Sequence, residues 1–214
     1  MTDINKYLEH TVLKQGITES LIRDNFELCT LFKIPTFVIP PSMVKFASSL
    51  RFDNKVSICT VIGFPLGYNT HKTKIFEISD AIEKGADELD LVINNSIIKE
   101  AAWDRFDAEI SEYRKVCRGK VFKIIVETSI ITRNELDRIA QILVNNGIDF
   151  IKTSTGMVGE GAKIDDIKFL KDCYGGKIKI KASGGIKNKD QVLEFIEAGA
   201  DRIGTSSAKQ ILEN

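Results

Sequence analysis

Three charged residues of this 214-residue chain sit in runs where charge is costly. Lys152 lies in Phe150-Ile-Lys-Thr-Ser-Thr-Gly156, Lys181 in Ile180-Lys-Ala-Ser-Gly-Gly185, and Asp90 in Glu88-Leu-Asp-Leu-Val-Ile93. Apolar neighbours mark each run as a buried strand rather than a solvated helix face. Burial disfavours the charged form of a lysine, and an uncharged lysine attacks carbonyl carbon. A second ammonium beside it adds to the effect. A drop of about two pKa units, each worth about 1.4 kcal/mol, raises the free-amine fraction roughly a hundredfold at neutral pH.

On that chemistry Lys152 is the nucleophile of a Schiff-base reaction and Lys181 the cation that depresses its pKa. Asp90 is a carboxylate able to move protons through a water. The plainer alternatives stay open: a structural lysine paired with a carboxylate, and an aspartate that only answers the lysines. Lys177 and Lys179 alternate in register with Lys181. Lys177 is expected in solvent at the strand entrance, and Lys179 rivals Lys181 for the ammonium role.

Two glycine-rich ends could receive an anion. Ser183-Gly-Gly185 and Gly204-Thr-Ser-Ser207, the latter just before a short final helix, offer free backbone N–H groups, hydroxyls and a helix start. Phosphate sites after strands seven and eight are common in (β/α)₈ barrels. Gly63-Phe-Pro-Leu-Gly67 reads as a rigid turn.

Positioning these groups requires parallel strands. β-branched runs alternate with amphipathic stretches, which implies βαβ units. Eight strands are expected: Tyr7–Leu13, Thr36–Ile39, Val56–Ile62, Glu88–Ile93, Phe122–Glu127, Asp149–Thr153, Ile178–Ala182 and Arg202–Thr205. With no long linker they favour one (β/α)₈ TIM barrel spanning residues 1–214 as a single domain; an open doubly wound sheet is the rival. Thr132-Arg-Asn-Glu135 reads as a capping box. Leu136, Ile139, Ala140 and Leu143 follow as one apolar stripe, and Asn146-Gly147 ends that helix. An echo links three turns: Gly85-Ala-Asp, Gly147-Ile-Asp and Gly199-Ala-Asp. Asp90, Lys152 and Gly204 follow five residues after each Gly, and Lys181 stands likewise after Gly176. Equivalent turns would lift these residues to the C-terminal ends of their strands, where barrel active sites form.

Composition removes several function classes. Thirty Lys and Arg balance thirty Asp and Glu, so no global field draws the chain to nucleic acid or an anionic membrane. Four cysteines lack any C-x-x-C pair. Two histidines, His10 and His71, are a poor supply for a catalytic zinc site, so neither metal nor cofactor is expected. The start, MTDINKYLEH, lacks a signal pattern, and no apolar run approaches 18 residues; reduced thiols in the cytoplasm are the expectation. Ile97, Ile98, Trp103 and Phe106 either form a homodimer surface or pack on the barrel.

The motifs LEHTVLK (8–14), CTVIGFPLG (59–67), GADELDLVIN (85–94), KIIVET (123–128), DFIKTSTG (149–156), IKASGGI (180–186) and AGADRIGTSS (198–207) together resemble the deoxyribose-phosphate aldolases nearly end to end. The resemblance implies reversible cleavage of 2-deoxy-D-ribose 5-phosphate to acetaldehyde and D-glyceraldehyde 3-phosphate, in deoxynucleoside breakdown. It implies Lys152 as the Schiff-base lysine, Lys181 as its neighbour and Asp90 as the proton relay. Gly156, Gly184, Gly185, Ser206 and Ser207 match the phosphate-binding positions. Thr155, Glu9 and Thr11 are implied in substrate binding and the proton network. Three departures stand out. Glu9 replaces the Asp of D-H-T, Val38 replaces a cysteine at no mechanistic cost, and the sequence ends at Asn214 without the tyrosine-bearing tail of some members. Without such a tail, proton transfer is expected to use a water or run slower. Another aldehyde or ketose phosphate as substrate, and a non-catalytic sugar-phosphate sensor, remain the competing readings.

Overall fold

The computed structural model describes residues 3–51 and 55–213; Asn214 lies outside them. Eight parallel strands close on themselves in chain order: β1 Leu8–Thr11, β2 Thr36–Ile39, β3 Ser57–Ile62, β4 Glu88–Val92, β5 Val121–Ile125, β6 Phe150–Lys152, β7 Lys179–Ser183 and β8 Arg202–Thr205. This is a (β/α)₈ TIM barrel, and the open-sheet alternative falls. The helices are α1 Glu19–Leu31, α2 Val44–Ser49, α3 His71–Glu83, α4 Asn95–Lys99, α5 Trp103–Val116, α6 Arg133–Asn145, α7 Ile164–Tyr174, α8 Lys189–Glu197 and α9 Ala208–Glu213. Among the described residues no helix is long and apolar enough to cross a membrane.

Most strands lie within a residue or two of their expected bounds. The first is shorter than Tyr7–Leu13, because Ile4–Tyr7 forms a 3₁₀ turn. The fifth ends at Ile125, before Glu127 turns left-handed at φ 56°. The capping box at α6 is present, with Thr132 accepting from the Glu135 amide and Glu135 accepting from the Thr132 amide. Ile97, Ile98 and Phe106 are buried in the main apolar cluster and Trp103 packs against it. These residues therefore pack on the barrel and do not form an exposed surface for a second copy.

The echoed Gly-x-Asp turns have a shared physical job. Asp87 accepts the Ile58 amide at 2.9 Å, Asp149 the Phe122 amide at 2.9 Å, and Asp201 the Ile180 amide at 2.8 Å. Each aspartate thus ties the N-terminal start of its own strand to the preceding strand. The main apolar core lies between strands and helices: Phe37, Ile58, Leu89, Leu91, Ile124, Ile151 and Ile180 are fully buried there. Residues of the opposite parity fill the bore, and many of them carry charge.

Candidate active site

Glu9, Glu88 and Asp90 point into the bore from β1 and β4, and Lys123, Lys152 and Lys181 from β5, β6 and β7. All six are buried. Asp90 is the hub: its Oδ2 accepts Lys152 Nζ at 2.8 Å and Lys181 Nζ at 2.7 Å, and its Oδ1 accepts Lys123 Nζ at 3.0 Å. Lys181 also donates to Glu9, Lys123 pairs with Glu88 at 2.5 Å, and Arg202 lies 3.6 Å from Glu9. Lys152 and Lys181 are direct cross-strand partners. A Cβ on Gly204 would come within 3.1 Å of Lys181 Cε, so glycine leaves this lysine room.

The lysines do not titrate alike. Burial is the largest influence on Lys152 and lowers its pKa; Asp90 opposes this, and the Lys181 ammonium adds to the lowering. Burial also disfavours the charge on Lys181, but Asp90 and Glu9 outweigh it and raise that pKa. Lys123 is raised well above the ordinary range, because Asp90, Cys59, Glu9 and Glu88 together overcome burial. Burial works against an ionised Asp90 as well; its ammonium partners, led by Lys123, hold it well below the usual carboxylate range. The cationic neighbour is therefore not the main cause of depression at Lys152, as its sequence position suggests. Desolvation leads. With Lys152 uncharged, the three carboxylates face Lys123, Lys181 and the half-buried Arg202, and the bore is balanced.

Above this layer a cleft of about 530 Å³ opens at the C-terminal rim. Lys152 is on its floor; Thr11, Thr155, Gly156, Gly184, Gly185, Ser206 and Ser207 line its walls. Glu9, Asp90 and Lys181 are sealed beneath it, fully buried. Among the described residues the amides of Gly156, Gly184 and Gly185 donate to no protein acceptor, nor do the Ser206 and Ser207 hydroxyls. Gly184 has φ 92°, and a Cβ on it would come within 2.9 Å of Gly161 Cα, so only glycine fits. The Ser207 amide is engaged by Thr205 Oγ1 at 2.9 Å. Thr11 donates to the Glu9 carbonyl at 3.3 Å.

A family model described as "DeoC/LacD family aldolase" matches residues 10–213. The chain belongs to that aldolase family. A deoxyribose-phosphate aldolase of Clostridioides difficile is 46% identical over 214 residues, with 100% of this chain and 97% of the relative covered. A deoxyribose-phosphate aldolase 1 of Staphylococcus aureus is 39% identical over 208 residues, covering 97% and 94%. Among solved structures, QR15, an aldolase, superposes with TM-score 0.94 at 38% identity, covering 100% and 97%. A deoxyribose phosphate aldolase of Aeropyrum pernix, described as tetrameric, gives 0.88 at 30% identity, covering 98% and 89%. This aldolase is a carbon–carbon lyase.

Other residues of this candidate site were given no role by the sequence. Lys123, Glu88 and Arg202 complete the charge layer, and Cys59 donates to Asp90 at 3.2 Å. The signal was present: Glu88 and Asp90 share one face of a strand, and so many inward carboxylates demand more than two cations. Lys179 is exposed, its Nζ 5.5 Å from the Phe150 ring centroid at the lower mouth, outside the charge layer. Lys177 is exposed in the turn. Glu9, Cys59 and Glu88 bring possible metal-ligand atoms within 4.8 Å of one another. The Lys123 ammonium lies between them, at 3.6, 3.4 and 2.5 Å. His10 Nε2 donates to Asn25 at 2.7 Å and His71 lies 2.6 Å from Glu112, so neither joins that group. Gly63–Gly67 is a turn closed by a 2.8 Å bond from the Gly67 amide to the Gly63 carbonyl, and it lays Phe64 along the cleft.

Proposed function

We propose that this aldolase cleaves 2-deoxyribose 5-phosphate reversibly to acetaldehyde and glyceraldehyde 3-phosphate through a Schiff base on Lys152. One observation carries the reading: of the three lysines in the charge layer, Lys152 alone opens onto the cleft and has its pKa lowered. The free amine adds to C1 of the open-chain sugar. The carbinolamine then loses its hydroxyl as water, with Lys181 and Asp90 moving the proton through a water. Removal of the C3 hydroxyl proton breaks the C2–C3 bond. The bonding pair becomes the enamine double bond, the iminium charge is cancelled, and C3 departs as an aldehyde. Protonation at C2 and hydrolysis return acetaldehyde and the Lys152 amine.

The unpartnered amides of Gly156, Gly184 and Gly185 and the hydroxyls of Ser206 and Ser207 receive the phosphate. Lysine supplies the electron sink, so the scheme uses neither cofactor nor metal. The reaction suits deoxynucleoside breakdown in the cytoplasm. Borohydride reduction in the presence of 2-deoxyribose 5-phosphate, followed by peptide mass mapping, should place the adduct on Lys152. An adduct on another residue, or faster cleavage of ribose 5-phosphate than of the deoxy sugar, would refute the assignment.

A further inference from the structure

Glu127, just beyond β5, breaks two local rules. Its backbone is left-handed, φ 56° and ψ 71°, a region that favours glycine. Its carboxylate is buried at 2% exposure, and among the described residues no cation pairs with it. Three donors answer it instead: the Thr155 amide at 3.0 Å, the Thr155 hydroxyl at 2.7 Å and the Ser129 hydroxyl at 3.4 Å. Because that threonine's proton goes to Glu127, its oxygen accepts from the loop, taking the amides of Met157 at 3.2 Å and Val158 at 3.3 Å. The hydroxyl has one proton, so nothing remains for it to donate to a substrate.

We infer that Glu127 is a positioning residue for the phosphate end of the substrate, acting through Thr155 on the amide of Gly156. The inference rests on the proposed phosphate cradle. Gly156 follows Thr155 directly, and a Cβ on it would lie 3.4 Å from Gly184 Cα. One wall of the cradle therefore moves with the loop that Glu127 anchors. Strain and a buried, unpaired carboxylate are kept where a geometry has to be held. The turn alone does not need the acid, since glycine adopts the same backbone freely.

Glu127→Gly keeps the turn and removes the anchor. KM for 2-deoxyribose 5-phosphate should rise about tenfold with kcat held within about twofold, as loss of a charge-assisted hydrogen bond implies. Inhibition by inorganic phosphate should weaken by the same factor, while cleavage of unphosphorylated 2-deoxyribose changes less than about twofold. Glu127→Gln retains an acceptor oxygen and should restore most of the loss. Equal losses on both sugars, or an unchanged KM, overturn the inference and leave the cradle standing. A native enzyme indifferent to the sugar's phosphate, and not inhibited by inorganic phosphate, overturns the cradle and the inference with it.

Discussion

At the N-terminal end of the barrel, Asp87, Asp149 and Asp201 commit their carboxylates to strand amides, and Arg51 and Arg114 pair with the first two. At the other end, Lys152 holds one carboxylate bond and faces the cleft, beside glycine amides that meet no acceptor among the described residues. Polar groups below are satisfied and hold strands in register. Those above keep capacity in reserve, and chemistry needs that reserve. Between them lies the charge layer, where burial lowers the Lys152 pKa and every carboxylate has another cation.

The comparison is most exposed at Lys152. Lys152→Met removes the nucleophile and should lower kcat/KM at least about a thousandfold, the scale seen when a covalent catalyst is deleted. Stability should hold or rise. The native pKa lies below that of the unfolded chain, so this group carries a stability penalty that is full below the lowered native pKa and fades as pH rises to 10.5, and removing it relieves that penalty. Loss of stability by denaturant titration would show that Lys152 is structural.

Lys181→Met is the next largest. It leaves Glu9 and Asp90 short of a cation and should cost about 3–5 kcal/mol. It also removes a charge that lowers the Lys152 pKa. The acid limb of the kcat/KM profile should move to higher pH, with a loss of about a hundredfold at neutral pH if that pKa climbs about two units. A limb that stays in place would detach Lys181 from the chemistry.

The eight strands were legible because parallel strands buried on both faces read as apolar runs. The first blurred because Leu8–Thr11 alternates Glu9 into the bore and His10 toward Phe37, so only four residues carry a mixed signal. Lys152, Lys181 and Asp90 were legible as charges inside such runs. Lys123 interrupts the run Val121–Ile125 and carries the same signal as Lys152 and Lys181, whereas Glu88 and Arg202 escape it because each opens its strand. The spacing shows that Lys152 and Lys181 are neighbours but not how completely the bore is sealed, so the lead of desolvation is legible only in the structure. The hydrogen bonds from Thr155 to Glu127 are long-range and leave no local pattern. Thr155 illustrates the gap: its position on the cleft wall agrees with the motif, but its proton is committed elsewhere.

Acid stability gives a third test. Asp90 and Glu9 have native pKa values below 3.8 and 4.5. Their contribution is complete above those unfolded-state values and is lost as pH falls through the lower native ones. Unfolding followed by circular dichroism should therefore begin below the ordinary carboxylate range. At the lower end, Asp201→Ala removes the acceptor of the Ile180 amide and should cost about 1–3 kcal/mol with kcat/KM unchanged. A kinetic defect in this variant would merge the two ends that the account separates.

The central claim is that one amine in a crowded charge layer is neutral while its neighbours are not. The direct measurement is the pH dependence of borohydride trapping at Lys152, followed by mass spectrometry alongside Lys123 and Lys181. Trapping at Lys152 should rise with an inflection below pH 10.5, the ordinary lysine value, while the other two stay unmodified throughout. An inflection near 10.5, or adducts shared among the three, would contradict it.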